Sequence, residues 1–345
     1  MGKKEVEKMT EVINEQVEKE KHIRGFGAMI LSRTLDKKII TAQRQGRVGF
    51  YTPTMGQEAA QIGLSMALSK DDLLYEYYRD VPMMLHRGVP LEIVLNQVFG
   101  NRDDLAKGRQ MPSHLVARDY NFMSVPSPVA TNLPLAVGTA FAKVYRHEPG
   151  IVVASFGDGS SSTPDFHSAM NMAAVFNLPV LFFCENNGLA ISLPVEKQTK
   201  TEIWKKAEAY GMAGFKADGN NMVEMYRVAQ QAVDHVRSGK GPALLEARCF
   251  RMGPHSTSDD PSKYESDIVQ DGSDRDPIVV TQNALKAMGL INDQLVDKVK
   301  NESIRIVNEK FDQQEKVPPP DPETMFQDVY GNETWIIKEE RGEIL

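Results

Sequence analysis

Two stretches of the chain are unbroken apolar runs of strand length, each closed by turn residues. Ile151-Val152-Val153-Ala154-Ser155-Phe156 runs into Gly157-Asp158-Gly159, and Val180 to Cys184 runs into Glu185-Asn186-Asn187-Gly188. Continuous rather than alternating hydrophobicity marks a parallel strand buried on both faces. Between the two, Phe166, Ala169, Met170 and Ala173 recur at helical spacing. Thr163 can N-cap that helix, Pro164 fits its first position, and Asp165 suits the positive end of its dipole. Asn177 and Pro179 stop it. The pattern predicts a strand–helix–strand unit with a right-handed crossover. A second unit follows: Phe215-Lys216-Ala217, a helix over 222–236, then Ala243-Leu244-Leu245-Glu246-Ala247. The predicted fold class is α/β, a mostly parallel sheet flanked by helices, whose ligands bind at the carboxyl ends of the strands.

The flanks read differently. Residues 1–45 form a helical N-terminal arm rich in Glu and Lys at helical spacing, expected to be solvated or to face a partner. Residues 46–275 form the α/β domain, including a polar, turn-rich loop over 252–273 that is long enough to be functional. Residues 276–345 form a helical C-terminal segment and tail, interrupted by the stiff Val317-Pro318-Pro319-Pro320 spacer.

Composition narrows the classes. With 40 basic against 47 acidic residues the net charge is −7, which argues against a nucleic-acid partner. No run approaches the roughly 20 apolar residues of a membrane span. The two cysteines, Cys184 and Cys249, lie in apolar surroundings, as buried thiols of a reduced protein do. Met1 to Lys21 mixes Lys and Glu and resembles no signal or transit peptide. A cytoplasmic protein is expected, or one whose leader is absent.

The chemistry lies at the strand ends. Asp158 follows one buried strand and Asn187 the next, with 26 residues between Gly159 and Asn186, enough for one helical crossover. That crossover returns Asn187 to the sheet edge that carries Asp158. A carboxylate, a carboxamide oxygen and a backbone carbonyl make a hard oxygen site suited to Mg²⁺. Gly157 and Gly159 allow close approach of a phosphate, and the helix beginning at Pro164 directs free N–H groups to the same region. The spacing thus predicts a diphosphate held through Mg²⁺. Asp218-Gly219-Asn220-Asn221 has similar letters but no crossover, and reads as a strand-to-helix turn with an N-cap.

Gly157-Asp158-Gly159, 26 residues, then Asn186-Asn187 resembles the thiamine diphosphate motif. Tyr78-Arg79-Asp80, Gly108-Arg109-Gln110-Met111-Pro112, Ser127-Pro128 and the run from Gly253 to Asp260 extend the likeness from about residue 40 to the C-terminus. Together they resemble the alpha subunit of a 2-oxo acid dehydrogenase, nearest the branched-chain group; a pyruvate or acetoin dehydrogenase alpha subunit is the alternative. A non-catalytic subunit of the same fold would lack Asp158, Asn187 or His255, and all three are present. A Rossmann NAD enzyme would need a Gly-x-Gly-x-x-Gly after the first strand, which is missing.

The resemblance implies the thiamine-diphosphate-binding fold and a set of roles. Asp158 and Asn187 would ligate Mg²⁺ through side chains and Leu189 through its carbonyl. Tyr78 and Arg79 would contact the diphosphate, with Gly157, Gly159 and Ser160 nearby. Ser127 and Val129 would lie along the cofactor, and His255 would be catalytic. Phe50 and Tyr51 would wall the acyl pocket, with His114 lining the site. Glu185 stands where some branched-chain members have an Arg, and Leu189 where Tyr is common. The family's activity is oxidative decarboxylation of a 2-oxo acid and reductive acylation of a lipoyl group. Its partners would be a beta subunit, in an α₂β₂ heterotetramer, and a lipoyl-bearing acyltransferase. No Glu here matches the motif that activates the cofactor, so the beta subunit would supply it.

Overall fold

The computed structural model describes residues 3–264 and 268–345, with side chains from Gln16 onward. The extreme start of the predicted arm, and residues 265–267 of the predicted loop, lie outside the described residues.

The chain opens with a long helix, α1 (Lys3–Arg44), then α2 (Glu58–Ala67), the short strand β1 (Leu73–Tyr75), α3 (Val81–His86) and α4 (Leu91–Phe99). The α/β core continues through α5 (Asn132–Arg146), β2 (Val152–Gly157), α6 (Pro164–Val175) and β3 (Val180–Asn186). A small ribbon of β4 (Leu189–Ala190) and β5 (Leu193–Pro194) precedes β6 (Ala213–Asp218), α7 (Met222–Arg237) and β7 (Ala243–Arg248). Helices α8 (Pro277–Ala287), α9 (Asp293–Gln314) and α10 (Trp335–Ile344) complete the chain.

The main sheet has five parallel strands in the order β1-β2-β3-β7-β6. Every residue of β3 is buried, as its apolar run requires. Alternate residues serve opposite layers. Val153, Leu181, Phe183 and Leu245 pack with α1, α2, α4 and α7, while Val152, Ala154, Phe156, Phe182 and Cys184 pack with α5 and α6. A sheet covered on both faces has no reason to alternate in sequence. Thr163 caps α6 by accepting from the Phe166 N–H at 3.3 Å, a contact whose loss costs about 1 kcal/mol. Asn221 caps α7 in the same way, as the turn reading of Asp218 to Asn221 requires. Both cysteines are buried and free. Among the described residues no helix is long and apolar enough to cross a membrane.

The N-terminal reading needs correction. From Phe26 onward α1 is core, with Phe26, Met29, Ile30, Leu35, Ile39 and Ala42 all buried. Two of its charged residues are buried with them. Arg33 donates to Glu58 at 2.7 Å and to Asp276 at 3.0 and 3.2 Å. Asp36 accepts from the Tyr51 hydroxyl and from the Thr54 N–H at 2.7 Å. The helix looked solvated because its buried charges find their partners far along the chain.

Candidate active site

The register of β2 on β3 pairs Gly157 with Glu185, so the residues that follow these strands emerge side by side. Asp158 begins a turn of 3₁₀ helix and is only 1% exposed. Its Oδ2 accepts from Gln198 Nε2 at 2.7 Å. Burial raises its carboxyl above the ordinary value, and Gln198 and the nearby Arg251 and Arg248 work against that rise. After β3, Asn186 Oδ1 accepts from the Gly188 N–H at 3.0 Å and Asn187 Oδ1 from the Leu189 N–H at 3.1 Å. These two turns, with Gly188 at φ +87°, send the chain into the β4–β5 ribbon beside Asp158. A Cβ on Gly159 would come within 2.9 Å of Ala190 Cβ, so the strand-end turn and the ribbon touch only because residue 159 is glycine.

The other wall follows β1. Arg79, 1% exposed, donates through Nη1 to the Pro53 carbonyl and through Nη2 to the His255 carbonyl at 3.0 Å. Gln61 holds the backbone of Arg79 by donating to its carbonyl at 3.0 Å. Tyr78 meets the His255 ring edge-on, with centroids 5.9 Å apart. The His255 N–H donates to Asp259 at 2.8 Å, which fixes the loop. Burial, then Arg79 and Arg251, lowers the His255 imidazole to about 4. It is therefore neutral near pH 7. Arg79 Nη2 also lies 3.4 Å from Nδ1, and a guanidinium only donates. Nδ1 is then the acceptor and Nε2 carries the proton.

These walls enclose a cleft of about 480 Å³ at the carboxyl ends of β1, β2 and β3. Eleven of the fourteen predicted site residues line it: Tyr78, Arg79, Ser127, Val129, Gly157, Asp158, Gly159, Ser160, Asn187, Leu189 and His255. Phe50, Tyr51 and His114 do not. Tyr51 is 1% exposed, and its hydroxyl points to Asp36 in the core. It faces a separate narrow void with Tyr77, Tyr78 and Ser113. Its carbonyl accepts from the Thr257 N–H at 2.9 Å, so its link to the site is to anchor the His255 loop. His114 reaches the cleft only through Ser127 Oγ, 2.8 Å from its Nε2.

Three residues escape a reading of the sequence, two that line the cleft and one that holds Asp158 from behind. Gln198 holds Asp158 from beyond the ribbon, and Arg251 donates to the Ile191 carbonyl at 2.7 Å. Glu76, fully buried, lines the cleft floor with neither carboxylate oxygen hydrogen-bonded. Burial, chiefly, pushes its carboxyl well above the ordinary value. A Glu set directly after the apolar Leu73-Leu74-Tyr75 run was the available signal. Glu185 is also buried, and burial with neighbouring Asp80 pushes its carboxyl well up. It accepts from Gln61 at 2.8 Å on the side away from the cleft.

The donor set fits a hard cation beside a diphosphate. It offers one carboxylate, one carboxamide oxygen and one backbone carbonyl on one side, and two guanidinium groups and an imidazole on the other.

A family model described as dehydrogenase E1 component matches residues 27–323. The chain is 37% identical over 315 residues to the mitochondrial 2-oxoisovalerate dehydrogenase subunit alpha of Homo sapiens, covering 90% of this chain and 71% of that one. It is 37% identical over 309 residues to the 2-oxoisovalerate dehydrogenase subunit alpha of Bacillus subtilis, covering 88% and 94%. The Caenorhabditis elegans mitochondrial counterpart is 37% identical over 326 residues, covering 93% and 75%.

Proposed function

The chain belongs to the dehydrogenase E1 component family, and from that premise we propose that it is the alpha subunit of a thiamine-diphosphate-dependent dehydrogenase of branched-chain 2-oxo acids. The observation that carries the reading is the meeting of Asp158 and Asn187 at neighbouring strand ends, facing Arg79 and His255 across one cleft. Relatives named for 2-oxoisovalerate favour the branched-chain substrate over pyruvate or acetoin.

Asp158, Asn187 and the Leu189 carbonyl would hold Mg²⁺. Tyr78, Arg79 and Arg251 would face the diphosphate, and Gly159 would leave room for it beside Ser160. When bound, thiamine diphosphate supplies the nucleophilic carbon and the electron sink for loss of CO₂. His255 presents Nε2–H to an anion, and Arg79 keeps that tautomer by occupying Nδ1. Ser127 and Val129 would lie along the cofactor.

The proposed assembly is an α₂β₂ heterotetramer that serves a lipoyl-bearing acyltransferase. Exposed apolar side chains support a partner: Leu135, Phe141 and Tyr145 on α5, and Val175 and Phe176 at the end of α6, are 43–81% exposed. Phe141 and Phe176 stack edge-on at 5.5 Å, which makes the patch continuous across both helices.

Calorimetry tests the site. Thiamine diphosphate should bind the wild-type chain only with Mg²⁺, and Asp158→Ala should abolish binding with an unchanged circular dichroism spectrum. Wild-type affinity in that variant would overturn the metal assignment. The assembled enzyme should decarboxylate 2-oxoisovalerate in preference to pyruvate, and the reverse order would overturn the substrate assignment.

A further inference from the structure

A second pocket, of about 370 Å³, lies outside the cofactor cleft at the far end of α3. Lys21, Arg24, Lys70 and Arg87 contribute four cationic side chains to its lining, and Asp119 is the single carboxylate among the lining residues. That excess of positive charge stands out in a chain of net charge −7.

The cations are poorly neutralised. Lys21 is paired, with Glu18 at 3.1 Å. Among the described residues, neither Arg24 nor Lys70 has a carboxylate partner within 4.0 Å. Arg24 donates to the His86 carbonyl at 2.8 Å, which turns its guanidinium along the pocket wall. Arg87 donates through Nη2 to the carbonyls of Ser69 and Asp72, at 3.0 and 3.3 Å, while its buried Nε has no partner. His86 lines the pocket with the two arginines, its Nδ1 2.7 Å from Ser65 Oγ. Burial, then Arg24 and Arg87, lowers its imidazole to about 4. Like charges in excess of their counter-charges repel one another, and an anion placed among them lowers the repulsion.

We propose that this pocket is a second anion site, which binds the phosphate group of a small soluble molecule. Two guanidinium groups and an ammonium group lining one pocket suit a tetrahedral anion with several acceptor oxygens better than a single carboxylate. The volume holds a phosphate and a modest substituent. Occupancy does not depend on the reaction at the cofactor cleft, because none of the lining residues is shared.

The test uses the full chain saturated with thiamine diphosphate and Mg²⁺, so that the cleft cannot take the probe. Inorganic phosphate is titrated at constant ionic strength and followed by calorimetry and by the His86 ring resonance, assigned with His86→Gln. Phosphate should shift that resonance, because the ring shares the pocket lining with the two arginines. The double variant Arg24→Glu, Lys70→Glu should weaken phosphate binding at least about tenfold, as expected when charge-assisted hydrogen bonds are replaced by repulsion. Both positions are exposed, so the variant should fold with an unchanged circular dichroism spectrum. An unmoved His86 resonance, an equal shift with chloride, or equal phosphate affinity in the variant would each overturn the proposal.

Discussion

Arg79 and His255 stand 176 positions apart in sequence, yet the guanidinium of one donates to the carbonyl of the other at 3.0 Å. The same guanidinium holds the Pro53 carbonyl, so three separate segments converge on one side chain. Arg79→Lys should break that convergence, because a single ammonium cannot reproduce a planar fork. The expected outcome is faster proteolysis at the 252–264 segment and at least about a tenfold loss of thiamine diphosphate affinity, the scale of one charge-assisted hydrogen bond. Wild-type proteolysis would show that Arg79 does not hold the loop.

Gly159 makes a sharper claim. Alanine there would place its Cβ 2.9 Å from Ala190 Cβ and push the β4–β5 ribbon away from Asp158. Gly159→Ala should weaken Mg²⁺-dependent cofactor binding while leaving the core intact. Adding Ala190→Gly should restore much of it, since the clash is with that methyl group. Failure of the second change to rescue the first would mean that the clash is not the cause.

Much of this arrangement was legible in the sequence. The two strand–helix–strand units announce themselves because buried parallel strands are continuous apolar runs and because Thr163, Pro164 and Asn177 mark helix ends by local chemistry. The spacing of Asp158 and Asn187 follows from one crossover. The short β1 gave no comparable signal, since three residues are too few to show a period. Nor did Gln198 and Arg251, which arrive from separate segments and meet Asp158 and the ribbon only in three dimensions. Tyr51 is ambiguous in sequence, because an aromatic beside a glycine-rich turn suits a pocket wall as well as a core anchor. Only the distant Asp36 decides between the two.

Tyr51→Phe tests that decision. It removes one donor from Asp36, whose carboxyl burial already raises to about 6 and which keeps Thr54 as a partner. The variant should lose about 1–3 kcal/mol of stability, the cost of leaving a buried acceptor short of a partner. Its preference among 2-oxo acids in the assembled enzyme should be unchanged. A change in preference with unchanged stability would return Tyr51 to the acyl pocket.

The histidines set an acid limit on the cofactor-free chain. His255 and His86 both titrate at about 4, below the 6.5 of the unfolded imidazole. Between those values the unfolded chain binds protons that the folded chain excludes, so stability rises with pH across that window. The contribution is complete above about pH 6.5 and is lost as pH falls toward 4. Denaturant midpoints measured across this range should fall toward acid, and His86→Gln should flatten the slope. A slope unchanged in that variant would remove His86 from the account.

Glu76 bears on whether the chain can work alone. Besides Asp158 it is the one carboxyl group among the lining residues of the cleft, and burial raises it well above the ordinary carboxyl value. Its folded value is raised, so its penalty grows as pH rises above the ordinary carboxyl range, where the unfolded group ionises and the buried one does not. Glu76→Gln keeps the shape and cannot ionise, so its stability should fall less than that of wild type as pH rises from about 5 to 8. A buried acid whose ionised form is disfavoured is poorly suited to be the carboxylate that activates the aminopyrimidine ring, and the proposed beta subunit is expected to supply it. The isolated chain, given cofactor and Mg²⁺, should therefore bind the cofactor without decarboxylating 2-oxoisovalerate. The assembled enzyme carrying Glu76→Gln should keep its turnover within a few-fold. Turnover by the isolated chain that disappears in Glu76→Gln would make Glu76 the activating group and the beta subunit dispensable for decarboxylation.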